Sequence, residues 1–234
     1  MCGFFGLVAN LTKDKLKDFE ISLDMLSHRG PDNSNIWSNK NNNVLIGHKR
    51  LSIIDLSDNA NQPMISYSSN MILVFNGCIY NYKELKKEFQ SVNQINESKS
   101  DTRVLLELID NFSLEFALNK IQGMYSFALY DLKKNKITLV SDKFGEKPLY
   151  IYKDKNCFIF SSEISPIKIF NKKDSYSKNA ITQYFTKGYI ANDLSIYNNI
   201  NKILPNSILE FDINQLINRD ENYYIKQISS PKRY

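Results

Sequence analysis

Apolar and polar residues alternate along this chain in patterns that predict short strands separated by a few helices. The strand-like runs are alternating or wholly apolar, and turn residues separate them. The predicted strands are the start of the chain through Val8, Val44–Ile46, Leu51–Ile54, Met71–Phe75, Met124–Tyr130, Ile137–Val140, Leu149–Tyr152, Cys157–Phe160 and Ser207–Asp212.

Apolar residues three and four positions apart predict amphipathic helices. The first of these helices has Thr12 as its N-cap. Its apolar face comprises Leu16, Phe19, Leu23 and Leu26. The other helices are Tyr82–Phe89, Asp101–Phe112 and a stretch around Ile181–Phe185, while the polar segments Asn33–Asn43 and Ser91–Lys99 predict loops.

Composition favours one globular domain. The chain has 234 residues, of which 42% are hydrophobic, and this is enough for one substantial core. We expect the domain to occupy residues 2–212, and residues 213–234 to be a polar tail or a truncated linker.

Charge and hydropathy argue against nucleic-acid and membrane partners. The net charge is +5, but the basic residues are mostly scattered Lys, which is typical of a solvated surface rather than a binding groove. No apolar run reaches the roughly 18 residues of a membrane span. The apolar N-terminus has neither a basic start nor a small-residue cleavage site, so we expect a cytoplasmic protein.

The three cysteines, Cys2, Cys78 and Cys157, do not form a disulfide framework. An odd number of cysteines without a secretory signal indicates reduced thiols. The only histidines are His28 and His48, and neither CxxC nor HExxH occurs, so we expect no metal site.

Cys2 is the first candidate for chemistry. If Met1 is removed, the thiol and a free α-amine belong to one residue. The ordinary pKa of an α-amine is about 7.8 and that of a thiol about 8.5, so the amine can act as base for its own side chain. A small hydrophobe buried in a first strand is the alternative interpretation of Cys2.

Three further positions have two interpretations each. Asn76-Gly77 provides a side-chain amide beside a backbone N–H, either an oxyanion hole or a type I′ hairpin turn. Arg50 suits a substrate carboxylate or a structural ion pair. Asp101 suits a substrate ammonium or the first turn of a helix.

Eight motifs in chain order resemble class II glutamine amidotransferases, specifically those of the asparagine synthetase branch. They are CGFFG at Cys2–Gly6, HRGPD at His28–Asp32, GHKRLSIIDL at Gly47–Leu56, NQPM at Asn61–Met64, FNGCIYNY at Phe75–Tyr82, SDTRVLL at Ser100–Leu106, GMYSFA at Gly123–Ala128 and DKFGEKPLY at Asp142–Tyr150. The similarity extends from Cys2 to about Asp212.

The resemblance implies an α+β fold, a four-layer αββα N-terminal-nucleophile sandwich of two antiparallel sheets. It implies Cys2 as the nucleophile that forms a γ-glutamyl thioester, with Asn76 and Gly77 as the oxyanion hole. Arg50 would bind the glutamine carboxylate and Asp101 its ammonium. The remaining residues expected to bind glutamine are Leu51, Ser52, Ile53, Ile54 and Cys78. His28 and His48 are expected to be structural.

Two departures from the family pattern matter. Cys78 stands where the family has Glu, which leaves Asp101 as the main acidic partner of the ammonium. The pyrophosphate-binding SGGxDS motif of the synthetase domain is absent. We therefore expect no cofactor in this chain, with ATP and Mg²⁺ on a separate synthetase domain.

We also expect Gly188–Asp212 to contribute a docking surface for that domain, with Tyr189, Ile190 and Tyr197 exposed on it.

Three functions fit these observations. The first is hydrolysis of L-glutamine to glutamate and ammonia, which then amidates aspartate on a synthetase domain or subunit. The second uses the ammonia on another carboxylate, such as one on a surface sugar. The third is a catalytically weak regulatory or interaction subunit. A homodimer is compatible with all three.

Overall fold

A computed structural model describes residues 1–91, 95, 99–171, 175–191 and 193–218. Its strands are β1 (Gly3–Val8), β2 (Asn33–Ser38), β3 (Val44–Arg50), β4 (Met64–Ile65), β5 (Met71–Ile79), β6 (Gly123–Asp131), β7 (Lys136–Ser141), β8 (Tyr150–Lys153), β9 (Phe158–Ser161), β10 (Ile200–Lys202) and β11 (Ile208–Asp212). Its α-helices are α1 (Lys13–Asp24), α2 (Tyr82–Glu88), α3 (Asp101–Asn111), α4 (Leu114–Lys120), α5 (Lys178–Lys187) and α6 (Ile213–Asn218).

The strands form two sheets, one of six strands in the order β10-β8-β9-β1-β3-β2 and one of five in the order β11-β7-β6-β5-β4. Neighbouring strands are antiparallel in both. The first sheet has β1 near its centre, and β5 is the second strand from the edge of the other sheet.

Strand alternation builds the layers. Phe4 and Val8 of β1 join the core between the sheets, whereas Phe5 and Leu7 join a second core beneath α1. On the other sheet, Val74 faces the central core.

A third core lies on the outer face of the five-stranded sheet, where Leu73 and Phe75 of β5 pack with apolar residues of α3 and α4. Two sheets thus lie between outer helical layers. The predicted αββα sandwich is confirmed.

The first helix follows its cap prediction, because the Oγ1 of Thr12 accepts a hydrogen bond from the backbone N–H of Lys15 at 3.3 Å. Leu16 departs from the prediction: it is exposed, while Phe19, Leu23 and Leu26 are buried. The buried face of α1 is therefore narrower than the apolar spacing indicated.

Two secondary-structure predictions are wrong. Residues 33–38 of the predicted polar loop form the edge strand β2, whose backbone pairs with β3 although its side chains are mostly solvent-facing. Leu51–Ile54 is not a strand, because the chain leaves the sheet after Arg50. The predicted loop Ser91–Lys99 lies largely outside the described residues.

The packed structure continues past Asp212, the predicted end of the domain. Ile213, the first residue of α6, is fully buried in the central core, and Leu216 and Ile217 pack against that core. Residues 219–234 lie outside the described residues. Among the described residues, no helix is long and apolar enough to cross a membrane.

Candidate active site

A cavity of about 280 Å³ opens at one end of the sandwich, between the two sheets. The alternation that directs Phe4, Ile46 and Val74 into the central core also directs Cys2, Arg50 and Asn76 to that end. All three residues line the cavity. Residues almost 50 positions apart in the sequence are thus brought together by strand periodicity and sheet packing.

The thiol of Cys2 lies against the backbone of Leu51. Its Sγ accepts a hydrogen bond from the Leu51 N–H at 3.3 Å and lies 3.6 Å from the Leu51 carbonyl oxygen. Burial raises the pKa of the Cys2 thiol above its ordinary value, and the Leu51 contact opposes this. A thiol held in the neutral form needs a nearby base before it can attack.

Arg29 fixes the backbone of Cys2. Its Nε donates to the Cys2 carbonyl oxygen at 2.9 Å, and its Nη1 pairs with Glu163 at 2.8 Å. The sequence analysis quoted Arg29 within the HRGPD motif without assigning it a role. The signal was the motif itself, but only the fold shows that residue 29 lies beside residue 2.

Arg50 is buried at the end of β3 and is held by three protein acceptors. Its Nη1 donates to the Ser57 carbonyl oxygen at 2.9 Å and to the Asn61 Oδ1 at 2.6 Å, and its Nη2 donates to the Asp55 carbonyl oxygen. A guanidinium has five N–H donors, so two remain. Those two can serve a substrate carboxylate on the cavity side.

Asn76 carries a buried donor that has no acceptor among the described residues, the Nδ2 of its side chain. The residue itself is 1% exposed. Buried amides in proteins are nearly always hydrogen-bonded, so an orphaned donor at a cavity indicates a group that the substrate satisfies.

Gly77 is not in a turn but inside β5, where it pairs with Tyr125. The turn interpretation of Asn76-Gly77 is therefore wrong. On the same edge of the strand, the Phe75 N–H donates to the Gln62 Oε1 at 2.6 Å and the Ile79 N–H to the Asp101 Oδ2 at 2.9 Å. Alternation along an antiparallel strand directs the Gly77 N–H to that edge too.

Only glycine fits at position 77. A Cβ atom there would lie 2.7 Å from the Cα of Tyr125, a backbone atom that cannot yield. The close approach of β5 to β6 therefore requires glycine next to Asn76.

Asp101 begins α3, just after the N-cap Ser100. Its Oδ2 accepts from Ile79 and its Oδ1 from the Thr102 N–H at 2.8 Å, so it joins β5 to α3. Burial raises the pKa of its carboxyl above the ordinary value, with these N–H groups opposing. Asp101 lines the cavity, as does the half-buried Cys78.

Some residues of the loop that follows Arg50 line the cavity, and one does not. Leu51, Ile53 and Ile54 line the cavity as expected. Ser52 is not among the lining residues, and its backbone N–H donates to the Asp32 Oδ2 at 2.7 Å. Because the segment is a loop rather than a strand, alternation does not decide which residues face inward.

Cys157, His28 and His48 are not among the residues that line the cavity. Cys157 is buried, does not line the cavity, and burial beside Asp154 raises the pKa of its thiol. Burial lowers the pKa of His48 to about 4, and its Nε2–H donates to the Phe75 carbonyl oxygen at 3.2 Å. His28 lies 3.1 Å from Glu163.

Within the described ranges, no group of three His, Cys, Asp or Glu side chains could hold a metal ion. The cavity instead brings together the Cys2 thiol, the Asn76 and Gly77 positions of β5, the guanidinium of Arg50 and the carboxyl of Asp101. A family model described as a glutamine amidotransferase domain matches residues 1–224. This chain belongs to that family.

Relatives of this amidotransferase domain include named asparagine synthetases. One from Methanocaldococcus jannaschii, named as glutamine-hydrolysing asparagine synthetase 2, is 37% identical over 92% of the chain and 45% of its own length. The Bacillus subtilis asparagine synthetase 3 is 36% identical over 71% of the chain and 27% of its length. Asparagine synthetase B of Escherichia coli is 35% identical over 67% of the chain and 28% of its length. The chain spans less than half the length of each.

Solved structures show the same fold. The glutamine phosphoribosylpyrophosphate amidotransferase of B. subtilis, with ADP and GMP, matches 90% of this amidotransferase domain and 47% of its own chain. The TM-score is 0.64 at 19% sequence identity.

Proposed function

We propose that this domain hydrolyses L-glutamine to L-glutamate and ammonia through a γ-glutamyl thioester on Cys2. The observation that carries the proposal is the convergence of Cys2, Asn76, Gly77, Arg50 and Asp101 on one cavity. Glutamine is the substrate implied by the family.

Two groups bind the amino-acid end of the substrate. The two remaining N–H donors of Arg50 bind the α-carboxylate, and Asp101 binds the α-ammonium. Binding the ammonium also offsets the burial of the Asp101 carboxylate. The side-chain amide of glutamine then reaches toward Cys2.

The reaction begins after Met1 is removed. The freed α-amine of Cys2 accepts the thiol proton, and the thiolate forms a bond to the amide carbon. The negative oxygen receives hydrogen bonds from the Asn76 Nδ2 and the Gly77 N–H. The ammonium of Cys2 returns the proton to the amide nitrogen as the C–N bond breaks, and ammonia leaves. The α-amine then takes a proton from water as the water oxygen bonds to the thioester carbon. The C–S bond breaks, glutamate is released, and the ammonium of Cys2 returns the proton to the thiolate.

The ammonia is destined for ATP-dependent amidation of aspartate. The support is the similarity to proteins named as asparagine synthetases. ATP and Mg²⁺ are assigned to a synthetase domain or subunit, and a sugar carboxylate is the alternative acceptor. The setting is cytoplasmic, where the three thiols stay reduced.

We assign the docking surface for that partner to the C-terminal part of the domain. Tyr189 there is 59% exposed, and Phe185 on α5 is 82% exposed. The expected exposure of Ile190 and Tyr197 is wrong. Both are half-buried, and Tyr197 stacks on Tyr176 with ring centroids 5.4 Å apart. A homodimer through this surface would compete with such docking.

A weak regulatory subunit is the second candidate, and Cys78 favours it. The resemblance implies a carboxylate at this position, so the thiol leaves the ammonium with Asp101 alone.

Cys2→Ala tests the proposal, with Cys157→Ala as the matched control because both residues are cysteines in strand regions. Ammonia and glutamate are measured with L-glutamine on chains whose Met1 removal is verified by intact mass. We expect Cys2→Ala to lose all activity and Cys157→Ala to keep it. A glutamine-mimicking diazoketone should label Cys2, and neither Cys78 nor Cys157.

An inactive unaltered chain without Met1 would favour the regulatory subunit. Full activity with Met1 retained would refute the α-amine as base. Supplying glutamine, aspartate and Mg-ATP, with and without a synthetase domain that lacks its own glutaminase, identifies the acceptor. Asparagine formed by these 234 residues alone would refute a separate site for ATP.

A further inference from the structure

Lys147 is a buried cation in the same cavity that the family roles above leave unused. It follows Gly145 in the segment between β7 and β8, and it is 6% exposed. Its backbone N–H donates to the Asp142 Oδ2 at 3.2 Å, which fixes its position. Lys147 lines the cavity together with Cys2, Arg50 and Asp101.

Among the residues that the structure describes, no carboxylate forms an ion pair with the ammonium of Lys147. The Nζ of Lys147 lies 2.9 Å from the Sδ of Met1. A thioether is a weak acceptor. Removal of Met1 takes even that contact away, and an ammonium buried without an anion is costly.

The carboxylates that line the cavity are already engaged. Asp101 accepts from two backbone N–H groups. Asp55 accepts from the N–H and the hydroxyl of Ser57, at 2.8 and 2.7 Å. Both therefore have partners other than Lys147.

Residue 78 is the position from which a protein counter-charge would come. Cys78 and Lys147 line the same cavity. Burial and the charge of Asp101 raise the pKa of the Cys78 thiol above its ordinary value, and the nearby positive charge of Lys147 opposes this rise. A glutamate at 78 would place a carboxylate beside Lys147, whereas the neutral cysteine does not.

Resting on the proposed function, we infer that Lys147 is a specificity-determining residue whose ammonium binds the α-carboxylate of L-glutamine as a second anchor beside Arg50. With cysteine at 78, the substrate supplies the anion that the protein lacks. Lys147 repels the substrate ammonium while Asp101 attracts it, and the two charges together fix which way the amino-acid end points.

The test compares L-glutamine with its α-methyl ester, which lacks the carboxylate charge but keeps the ammonium and the side-chain amide. The variants are Lys147→Met and Lys147→Arg, in chains without Met1. Lys143→Met is the matched control, since Lys143 is an exposed lysine of the same segment. The readout is the ratio of kcat/KM for glutamine to kcat/KM for the ester.

Loss of one charge-assisted contact should lower this ratio about tenfold in Lys147→Met, through KM for glutamine and with little change in kcat. Lys147→Arg should keep the ratio, and Lys143→Met should leave it unchanged. In a Cys78→Glu background, Lys147→Met should lower the ratio less, because glutamate then neutralises the ammonium.

An unchanged ratio in a folded Lys147→Met chain would overturn the inference, since a merely structural lysine affects both substrates alike. If Lys147→Met does not fold, Lys147→Gln carries the same comparison. If the unaltered chain hydrolyses neither compound, the proposed function fails. The inference is then tested by calorimetric binding of glutamine and ester to the Cys2→Ala chain, with and without Lys147→Met.

Discussion

Two walls enclose the cavity, and they are held in place by different interactions. The strand wall, Asn76–Cys78, is part of β5 and is fixed by its backbone ladder with β6. The loop wall, Leu51–Gln62, follows β3 and has no ladder with a neighbouring strand. Its shape depends on buried polar side chains, chiefly Arg50, whose donors reach Asp55, Ser57 and Asn61.

This difference separates chemistry from stability. Side chains on the strand wall can be changed without loss of the backbone bonds that position the wall. Arg50, the last residue of β3, is assigned to the substrate and also holds the loop wall in place. We therefore expect substitutions of Asn76 and Cys78 in the strand wall to affect activity alone, whereas a side chain at Gly77 would also clash with β6. Substitutions of Arg50 should affect both activity and stability.

Asn76→Ala should separate activity from stability most clearly. Removal of one oxyanion donor lowers kcat by about 10²–10³. The free energy of unfolding should stay within about 1 kcal/mol, because the donor has no protein partner to lose. Measured kcat and urea unfolding test both statements. Ser126→Ala, the residue opposite Asn76, is the control and should keep kcat. A large stability loss in Asn76→Ala would remove the distinction between the walls.

Arg50→Met should damage binding and stability together. The glutamine KM should rise about 100-fold, the size of a paired charge-assisted contact. The free energy of unfolding should fall by about 1–3 kcal/mol because buried carbonyl oxygens lose their donor. Arg103→Met is the control, since Arg103 also donates to a carbonyl oxygen, that of Ile65 at 2.7 Å, but does not line the cavity. Arg103→Met should lose stability with an unchanged KM. If Arg50→Met has normal stability, the conformation of the loop wall does not depend on Arg50.

Cys78→Glu should sharpen substrate binding from the strand wall. A restored carboxylate adds a charge-assisted hydrogen bond to the substrate ammonium, and it also offsets part of the Lys147 charge. KM should therefore fall by up to about 10-fold. Cys78→Gln, of similar size but uncharged, should not lower KM. If KM is unchanged or raised in Cys78→Glu, Asp101 alone suffices for the ammonium. Asp101→Asn should then be as damaging with glutamate at 78 as without it.

His48 joins the strand that leads to the loop wall to the strand that carries the strand wall. It lies on β3 and donates to the Phe75 carbonyl oxygen of β5. Burial lowers its pKa from 6.5 to about 4, so the unfolded chain binds more protons between these values. Stability should therefore fall as pH drops through this window, by up to about 1.4 kcal/mol per pH unit. Urea unfolding between pH 7.5 and 4.5 measures the slope. His48→Gln should have a smaller slope.

Much of the fold was predictable because local patterns agree with the tertiary structure. The cap at Thr12, the helix that begins at Asp101 and most strands follow from periodicity, and the structure confirms them. Phe112, predicted as part of that helix, follows its last residue and is exposed. Edge strand β2 was missed because its exposed polar side chains carry no apolar signal, while its backbone pairs with β3. The strand predicted at Leu51–Ile54 is wrong because apolar residues that face a substrate cavity resemble those that face a core.

The candidate site was predicted from motifs, and its geometry was not. The sequence allowed Asn76-Gly77 to be a turn, and only pairing of β5 with β6 placed it in a strand with its N–H toward the cavity. Ser52 was expected to face the substrate and does not line the cavity. Arg29 and Lys147 stood in quoted motifs without roles, because their neighbours Cys2 and Cys78 are distant in sequence.

The sequence by itself determined most of the strands and helices and the family, because strand period and motif residues are local properties that each segment carries alone. The layered arrangement was an expectation from the resemblance. Tertiary structure alone decided which groups meet. The orphaned amide of Asn76, the buried ammonium of Lys147 and the three bonds of Arg50 exist only where two sheets and a loop converge. Burial there removes water from charges and donors, so their partners must come from neighbouring segments or from the substrate.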